Sequence, residues 1–338
     1  MNFLKIIKNS KSIKAMYKIS TAPHVNSKQT TQKIMRDVIL SLSPAIFVAL
    51  IMFGINALIV LVTSICSCVT FEYLMARKFK LGNTATDLSA VVTGILLALN
   101  LPATMPVWQI IIGAFMAICV AKMAFGGIGK NIFNPALVGR VFLFISFPVQ
   151  MTTWVKPHLL DFFKVDSTTS ATALNTLKHI SSNADISALP DYWDMFFGYT
   201  GGCIGETSVF AILIGFLYML KQKIIKWHIP VYYISSFAVL MGISHLISGN
   251  IRFDVLSHVL SGGLMLGAVF MATDYTTSPM TRKGQIIFAI GCGFLTYILR
   301  AYSSYPEGVS FAILIMNAFV PLIDKYTPQY VYGTRRKK

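Results

Sequence analysis

Four carboxylates, one glycine-rich turn and one run of hydroxyls are the groups in this 338-residue chain whose types and spacing could carry chemistry. Asp87, Glu206, Asp254 and Asp274 fall at the edges of apolar runs or inside them. A charge at mid-membrane costs about 2.5–3.5 kcal/mol even on the milder scales, so such residues usually face an ion pathway or a partner. Their ordinary explanation is an interfacial or helix-capping role. The stretch Phe125-Gly-Gly-Ile-Gly-Lys-Asn-Ile-Phe-Asn-Pro135 has three glycines for close backbone approach, Asn134 as a cap and Pro135 suited to a first helical turn. A helix N-terminus beside such a turn can bind an anion, although the spacing is not that of a P-loop. Asn131, Asn134, Thr277 and Ser278 are polar side chains of this stretch and of Ala272-Thr-Asp-Tyr-Thr-Thr-Ser-Pro279 that could line a cofactor. Asp166-Ser-Thr-Thr-Ser-Ala-Thr-Ala-Leu174 lies in the longest polar segment, and Ser170 and Thr172 can each N-cap a helix beginning at Ala173.

The elements that must position these groups are membrane helices. Mean hydropathy is +0.64, with 55% hydrophobic and 12% charged residues, outside the soluble globular range. The net charge of +16 would suit nucleic acid, but Lys and Arg sit at the ends of apolar runs, as orientation determinants do. Cysteines 66, 68, 119, 203 and 292 show no metal-type spacing and read as packing residues, so no metal is expected. No nucleophile elbow or HExxH motif is present, and the six histidines are dispersed.

The expected fold is an all-α polytopic membrane protein with ten apolar segments near 38–55, 57–76, 88–101, 107–125, 135–149, 208–220, 229–248, 255–273, 285–300 and 309–323. The third and fifth are short and flanked by Gly, Asn or Pro, as discontinuous helices are. A basic segment (1–36), with residues 3–18 as a surface helix and no secretory signal, precedes a first five-helix half (37–149). An extracytoplasmic loop (150–207), a second half (208–323) and a basic tail (324–338) follow. With a cytoplasmic N-terminus, only Lys156, Lys164, Lys178, Arg252 and Arg300 of the 29 basic residues fall outside, Lys122 and Arg140 being counted with inner span ends. Gly82-Asn83…Asp87…Ser89-x-Val91 echoes Gly249-Asn250…Asp254…Ser257-x-Val259 with the Asp-to-Ser offset changed by one residue. Two halves of five spans each would then be inverted, a transporter-like plan.

Taken in order, Ile34–Val38, Gly82–Ala90, Gly126–Pro135, Gly202–Ser208, Ala272–Pro279, Tyr305–Ala312 and Met316-Asn-Ala318 make the chain resemble the NqrB/RnfD family. These are flavin-carrying membrane subunits of sodium-pumping quinone reductases and of Rnf ferredoxin–NAD oxidoreductases. The short basic N-terminus is nearer the Rnf members. The resemblance implies electron transfer coupled to Na⁺ or H⁺ translocation, in a bacterial cell membrane, with both termini cytoplasmic. It also implies FMN joined to Thr172 by a phosphoester, with Asp166, Ser170 and Ala171 completing the flavinylation motif. Ser170 stands where the family often has Gly. The implied partners are the other Rnf membrane and iron–sulfur subunits, and a flavin transferase acting outside the membrane; noncovalent riboflavin is a second implied cofactor. The chain lacks the cysteine sets for an iron–sulfur centre and would not take electrons from ferredoxin alone. The other readings are an NqrB-type quinone-reductase subunit and a non-redox inverted-repeat transporter.

Overall fold

A computed structural model describes residues 30–80, 84–155, 157, 171–179, 189–303 and 307–328. Asp166 and Ser170, the N-terminal basic helix, Gly82-Asn83 and most of the basic tail lie outside the described residues. Among the described residues every regular element is helical and no β-strand is present. The helices that position the sites are α1 (Thr31–Lys78), α2 (Ser89–Leu99), α3 (Val107–Phe115), α4 (Pro135–Ser146), α5 (Ala173–His179), α6 (Tyr192–Phe197), α7 (Val209–Lys221), α8 (His228–Ser248), α9 (Val255–Leu260), α10 (Leu264–Leu266), α11 (Arg282–Tyr302) and α12 (Val309–Tyr326), with a single further turn at Pro148–Met151.

Among the described residues, five helical stretches are long and apolar enough to cross a membrane, and three shorter apolar helices accompany them. α1 is two helices in one, because Gly54 at φ 57°, ψ −137° breaks the 48-residue run where the first two segments were expected to divide. α3 continues through a π turn at Met116–Val120, and α10 runs into a second π turn at Gly267–Met271. Such turns are rare and often occur beside functional sites. Large apolar side chains point outward along these helices, among them Phe47, Ile145, Leu217, Val239 and Leu246. A surface of that kind is stable facing lipid, and the chain is a multi-pass membrane protein.

One expected span departs from its sequence reading. The eighth, over 255–273, is not continuous but breaks between α9 and α10. Gly262 there has φ +70°, which a helix does not allow, and the carbonyls of His258 and Ser261 are freed from the ladder. Arg300 takes both, through Nη1 at 2.5 Å and Nη2 at 3.3 Å.

In lipid, apolar burial between helices gains little, and small residues that let backbones approach hold the bundle together. α7 crosses the first arm of α1 at Gly215, where a Cβ would sit 2.2 Å from the Ser41 carbonyl oxygen. α2 meets the second arm through Ser64, whose hydroxyl donates to Gly94 O at 2.8 Å. Gly215→Ala is expected to destabilise the bundle by about 1–3 kcal/mol, as an overpacked core does. The readout is a lower apparent melting temperature of detergent-purified protein; an unchanged midpoint would show that the two helices part freely.

Candidate functional sites

Two polar sites lie at opposite ends of α2, whose eleven residues span about 16 Å. At its N-terminal end, the glycine-rich stretch and the 272–279 loop form one wall. The Asn131 amide donates to Thr276 Oγ1 at 3.0 Å and to Phe133 O at 3.2 Å. Asn134 caps α4 through Ala136 N at 3.1 Å and donates across to Met271 O at 3.3 Å. Asn317 of α12 joins them, accepting from Asn134 N at 3.2 Å and donating to Thr277 O at 3.1 Å. Here a cavity of about 360 Å³ is lined by Ser89, Thr93, Lys122, Asn131, Asn134 and Asp274, with apolar residues such as Met35 and Phe270 around them. That size and lining, mostly apolar with a few converging polar groups, is what small-molecule and cofactor pockets show.

Of the residues expected to line a cofactor, Asn131 and Asn134 reach this cavity. Thr277 and Ser278 shape its wall instead: Thr277 Oγ1 donates to Asp274 Oδ2 at 3.2 Å, and Ser278 N donates to Asp274 O at 3.1 Å. Loss of water raises the pKa of the Asp274 carboxyl, and hydrogen bonds from Thr276 and Thr277 oppose the shift. Lys122, counted above with the inner span ends, stands just after the π turn of α3, is 3% exposed, and donates to Glu72 Oε2 at 2.6 Å and to Ser89 Oγ at 2.7 Å. An uncompensated charge there would be too costly, which is why the pair is closed.

At the C-terminal end of α2, the loop Gly201–Ser208 is pinned to it by Ile204 N→Leu101 O at 3.0 Å and Gly205 N→Leu99 O at 2.8 Å. This places Glu206 beside Arg140, which was counted above near an inner span end and lies within α4. Arg140 is 4% exposed and donates from Nη1 to Asn100 Oδ1 at 2.6 Å. Its Nη2 donates to Glu307 Oε2 and Cys203 Sγ, and stands 3.9 Å from Glu206 Oε2. Thr172 borders the same cleft, with Gly201, Gly202, Glu206, Ser261, Gly262 and Glu307. It caps α5, accepting from Asn175 N at 3.2 Å, and is 7% exposed, while Ala171 is exposed. The capping role read for Thr172 is therefore present, and its hydroxyl shares a cleft with two carboxylates.

The four acids singled out from sequence do not form one file. Asp274 is at the cavity and Glu206 at the opposite end. Asp87 ends a 3₁₀ turn before α2. Asp254 caps α9 through Ser257 N at 2.8 Å and accepts from Tyr192 Oη at 3.2 Å. The changed Asp-to-Ser offset has a local meaning: Asp254 is an N-cap, whereas Leu88 holds that position before α2 without a side-chain cap.

Sequence reasoning missed Glu72, Arg140, Glu307 and Asn317 as site residues. Glu307 and Asn317 had a signal, standing inside the quoted Tyr305–Ala312 and Met316-Asn-Ala318 stretches. Glu72 and Arg140 sit singly in apolar runs, and only the packing reveals their partners.

The chain is thus a multi-pass membrane protein with two polar sites, and comparison with known proteins gives its family. Residues 18–333 match the NQR2, RnfD, RnfE family, and the chain belongs to it. It is 44% identical, over 95% of its own length and 96% of the relative's, to the D-type subunit of the Na(+)-translocating ferredoxin:NAD(+) oxidoreductase complex of Acetobacterium woodii. It is also 44% identical, over 96% and 98% of the two chains, to the D-type subunit of the proton-translocating ferredoxin:NAD(+) oxidoreductase complex of Clostridium ljungdahlii. Identity to the D-type subunit of the ion-translocating oxidoreductase complex of Stutzerimonas stutzeri is 38% over 90% and 93%.

Proposed function

We propose that this chain is the D-type subunit of an ion-translocating ferredoxin–NAD oxidoreductase complex and carries electrons through a flavin attached to Thr172. The observation that carries the first part is similarity along nearly the whole chain to subunits bearing that name. Two relatives of equal identity are named for different ions, so the ion path is read from this chain's own carboxylates. The reading includes a bacterial cell membrane, cytoplasmic termini, iron–sulfur partner subunits and residues 150–207 on the outer face. The two inverted five-helix halves expected from sequence belong to the same reading.

For the attached FMN, Thr172 offers the hydroxyl of the motif. The cleft beside it measures about 10 Å³, too small for a flavin ring, so the ring would lie outside on the exposed Ala171 side. A flavin transferase would have to displace the α5 cap to reach that hydroxyl. The cavity at the other end of α2 fits a second, noncovalent riboflavin: Asn131 and Asn134 give amide donors and acceptors to a polar ring edge, and Met35 and Phe270 give apolar faces. Flavins supply one- and two-electron transfer, and charge added in a low-dielectric site favours uptake of a nearby cation. Lys122 lines the cavity with its charge already balanced by Glu72, and Asp274 is the carboxylate able to answer added charge with a proton or cation.

The test is intact mass and in-gel flavin fluorescence of protein made with the transferase, beside Thr172→Ala. Wild-type protein without added FMN mass would sink the attachment. A second expectation concerns the cavity: Thr93→Phe should fill it and remove flavin extractable by organic solvent while leaving the covalent fluorescence intact. Equal extractable flavin in both proteins would remove the cavity from the account.

A further inference from the structure

The Arg140 cluster contains a hydrogen bond with no donor. Glu206 Oε1 accepts from Cys203 N at 2.9 Å, but Glu206 Oε2, on a side chain 3% exposed, has no hydrogen-bond partner. Arg140 Nη2, 3.9 Å away, is beyond hydrogen-bond distance. A buried oxygen left in this state has given up water without gaining a donor in return, which is unfavourable.

None of the groups facing it from the surrounding elements donates to it. Arg140 from α4 is bound to Asn100 and Glu307. Arg300 from α11 gives its Nη groups to the carbonyls of the α9–α10 break. Asn100, after α2, donates to Leu96 O at 2.6 Å. Thr172 accepts from α5. The Cys203 thiol, held well above its ordinary pKa by burial, is only a weak donor.

Cys203 Sγ and the Glu206 and Glu307 carboxylates lie within 4.8 Å of one another, a spacing that could hold a metal ion. Arg140 Nη2, close to all three, already stands where such an ion would go, and an arginine does not give up its charge. The species that fits is a proton.

We propose that Glu206 and Glu307 share one proton, and that its affinity follows the charge carried on Thr172. An O–H on Glu307 donates to Glu206 Oε2, satisfying the orphan oxygen, while Arg140 balances the charge that remains. The proton comes from water on that side of the membrane and returns there; no other bond forms or breaks. Like charge nearby raises a carboxyl's proton affinity. Thr172, Glu206 and Glu307 border one cleft, so a phosphodiester on Thr172, and any electron added to what it carries, strengthens the hold. The coupling half rests on the attachment at Thr172 proposed above. The geometry agrees with the electrostatics: loss of water and then Glu206 push the Glu307 carboxyl up to about 8, against Arg140 and Arg300.

The chain has three glutamates, Glu72, Glu206 and Glu307, which makes the test direct. Full-length protein in bilayers, labelled with carboxyl-¹³C glutamate and made without transferase, is titrated by solid-state NMR. Two of the three resonances should move together, with one common midpoint above the ordinary carboxylate range. Glu307→Gln and Glu206→Gln should each abolish the joint movement, Glu206→Gln lowering the Glu307 midpoint while leaving the part due to burial, and Cys203→Ala should leave the common midpoint in place. Independent titration of the two in wild type, or loss of the common midpoint in Cys203→Ala, would overturn the shared proton without any variant of the pair itself. In protein carrying FMN mass, the midpoint should rise by about one pH unit. Attachment confirmed by mass with an unmoved midpoint would overturn the coupling. Absence of the mass would instead sink the attachment, leaving the pair as measured without flavin.

Discussion

Thr172→Ala is expected to abolish flavin attachment completely, leaving neither added mass nor a fluorescent band. The loss is total because a phosphoester needs a hydroxyl, and Ala173 and Ala171 on either side have none. The same substitution removes the α5 cap, since Thr172 Oγ1 accepts from Asn175 N. That costs about 1 kcal/mol locally. α5 has seven residues, below the length at which helices persist alone, so its order rests on Leu174 and Leu177, which are buried. Thr172→Ser separates the two effects: it retains a capping hydroxyl and should preserve α5, so any fall in attachment reports recognition of the threonine. Full fluorescence in Thr172→Ala would move the attachment to a different hydroxyl.

Arg140→Met should be the most destabilising single change in the chain, by about 3–5 kcal/mol, because it strands buried carboxylates rather than removing a pair. Glu206 would keep only Cys203 N, and Glu307 would lose its guanidinium partner. The sign of the pH dependence follows. With the arginine gone, protonation relieves the stranded charge, so the defect in apparent melting temperature should be small in acid and grow towards alkaline pH. In wild type, Glu307 binds its proton more tightly folded than unfolded, with a folded value of about 8. Its contribution is therefore present at acid pH and lost as pH rises through that value. Arg140→Met with Glu307→Gln should recover part of the loss. A double variant no better than the single one would show that Arg140 acts through packing alone.

The helical bundle was legible because hydropathy is a property of runs, and each of the ten apolar runs is built from helix in the structure. The Gly54 division of α1 was also readable, since the first two expected segments part at that point. The break of the eighth span was not, because Gly262-Gly263 looks like any small-residue pair in a membrane helix. Its cause lies elsewhere in the chain: Arg300 takes the freed carbonyls, and a side chain at Gly263 would come within 2.9 Å of Glu206 Oε2.

The basic residues divide in the same way. Lys and Arg at loop ends orient helices by number, so their sum is readable from sequence. Lys122 and Arg140 look identical in that sum, yet each is buried against a carboxylate from a distant segment. The amino-acid sequence by itself determined the membrane class and the helical segments, which follow from local order along the chain, and the family, whose resemblance singles out Thr172 as the hydroxyl to test. Only the tertiary structure decided that Asn131, Asn134 and Asp274 share a cavity, and that Thr172 shares a cleft with Glu206 and Glu307. Those juxtapositions join residues from distant parts of the chain, and a buried charge is compensated by whatever the fold brings beside it.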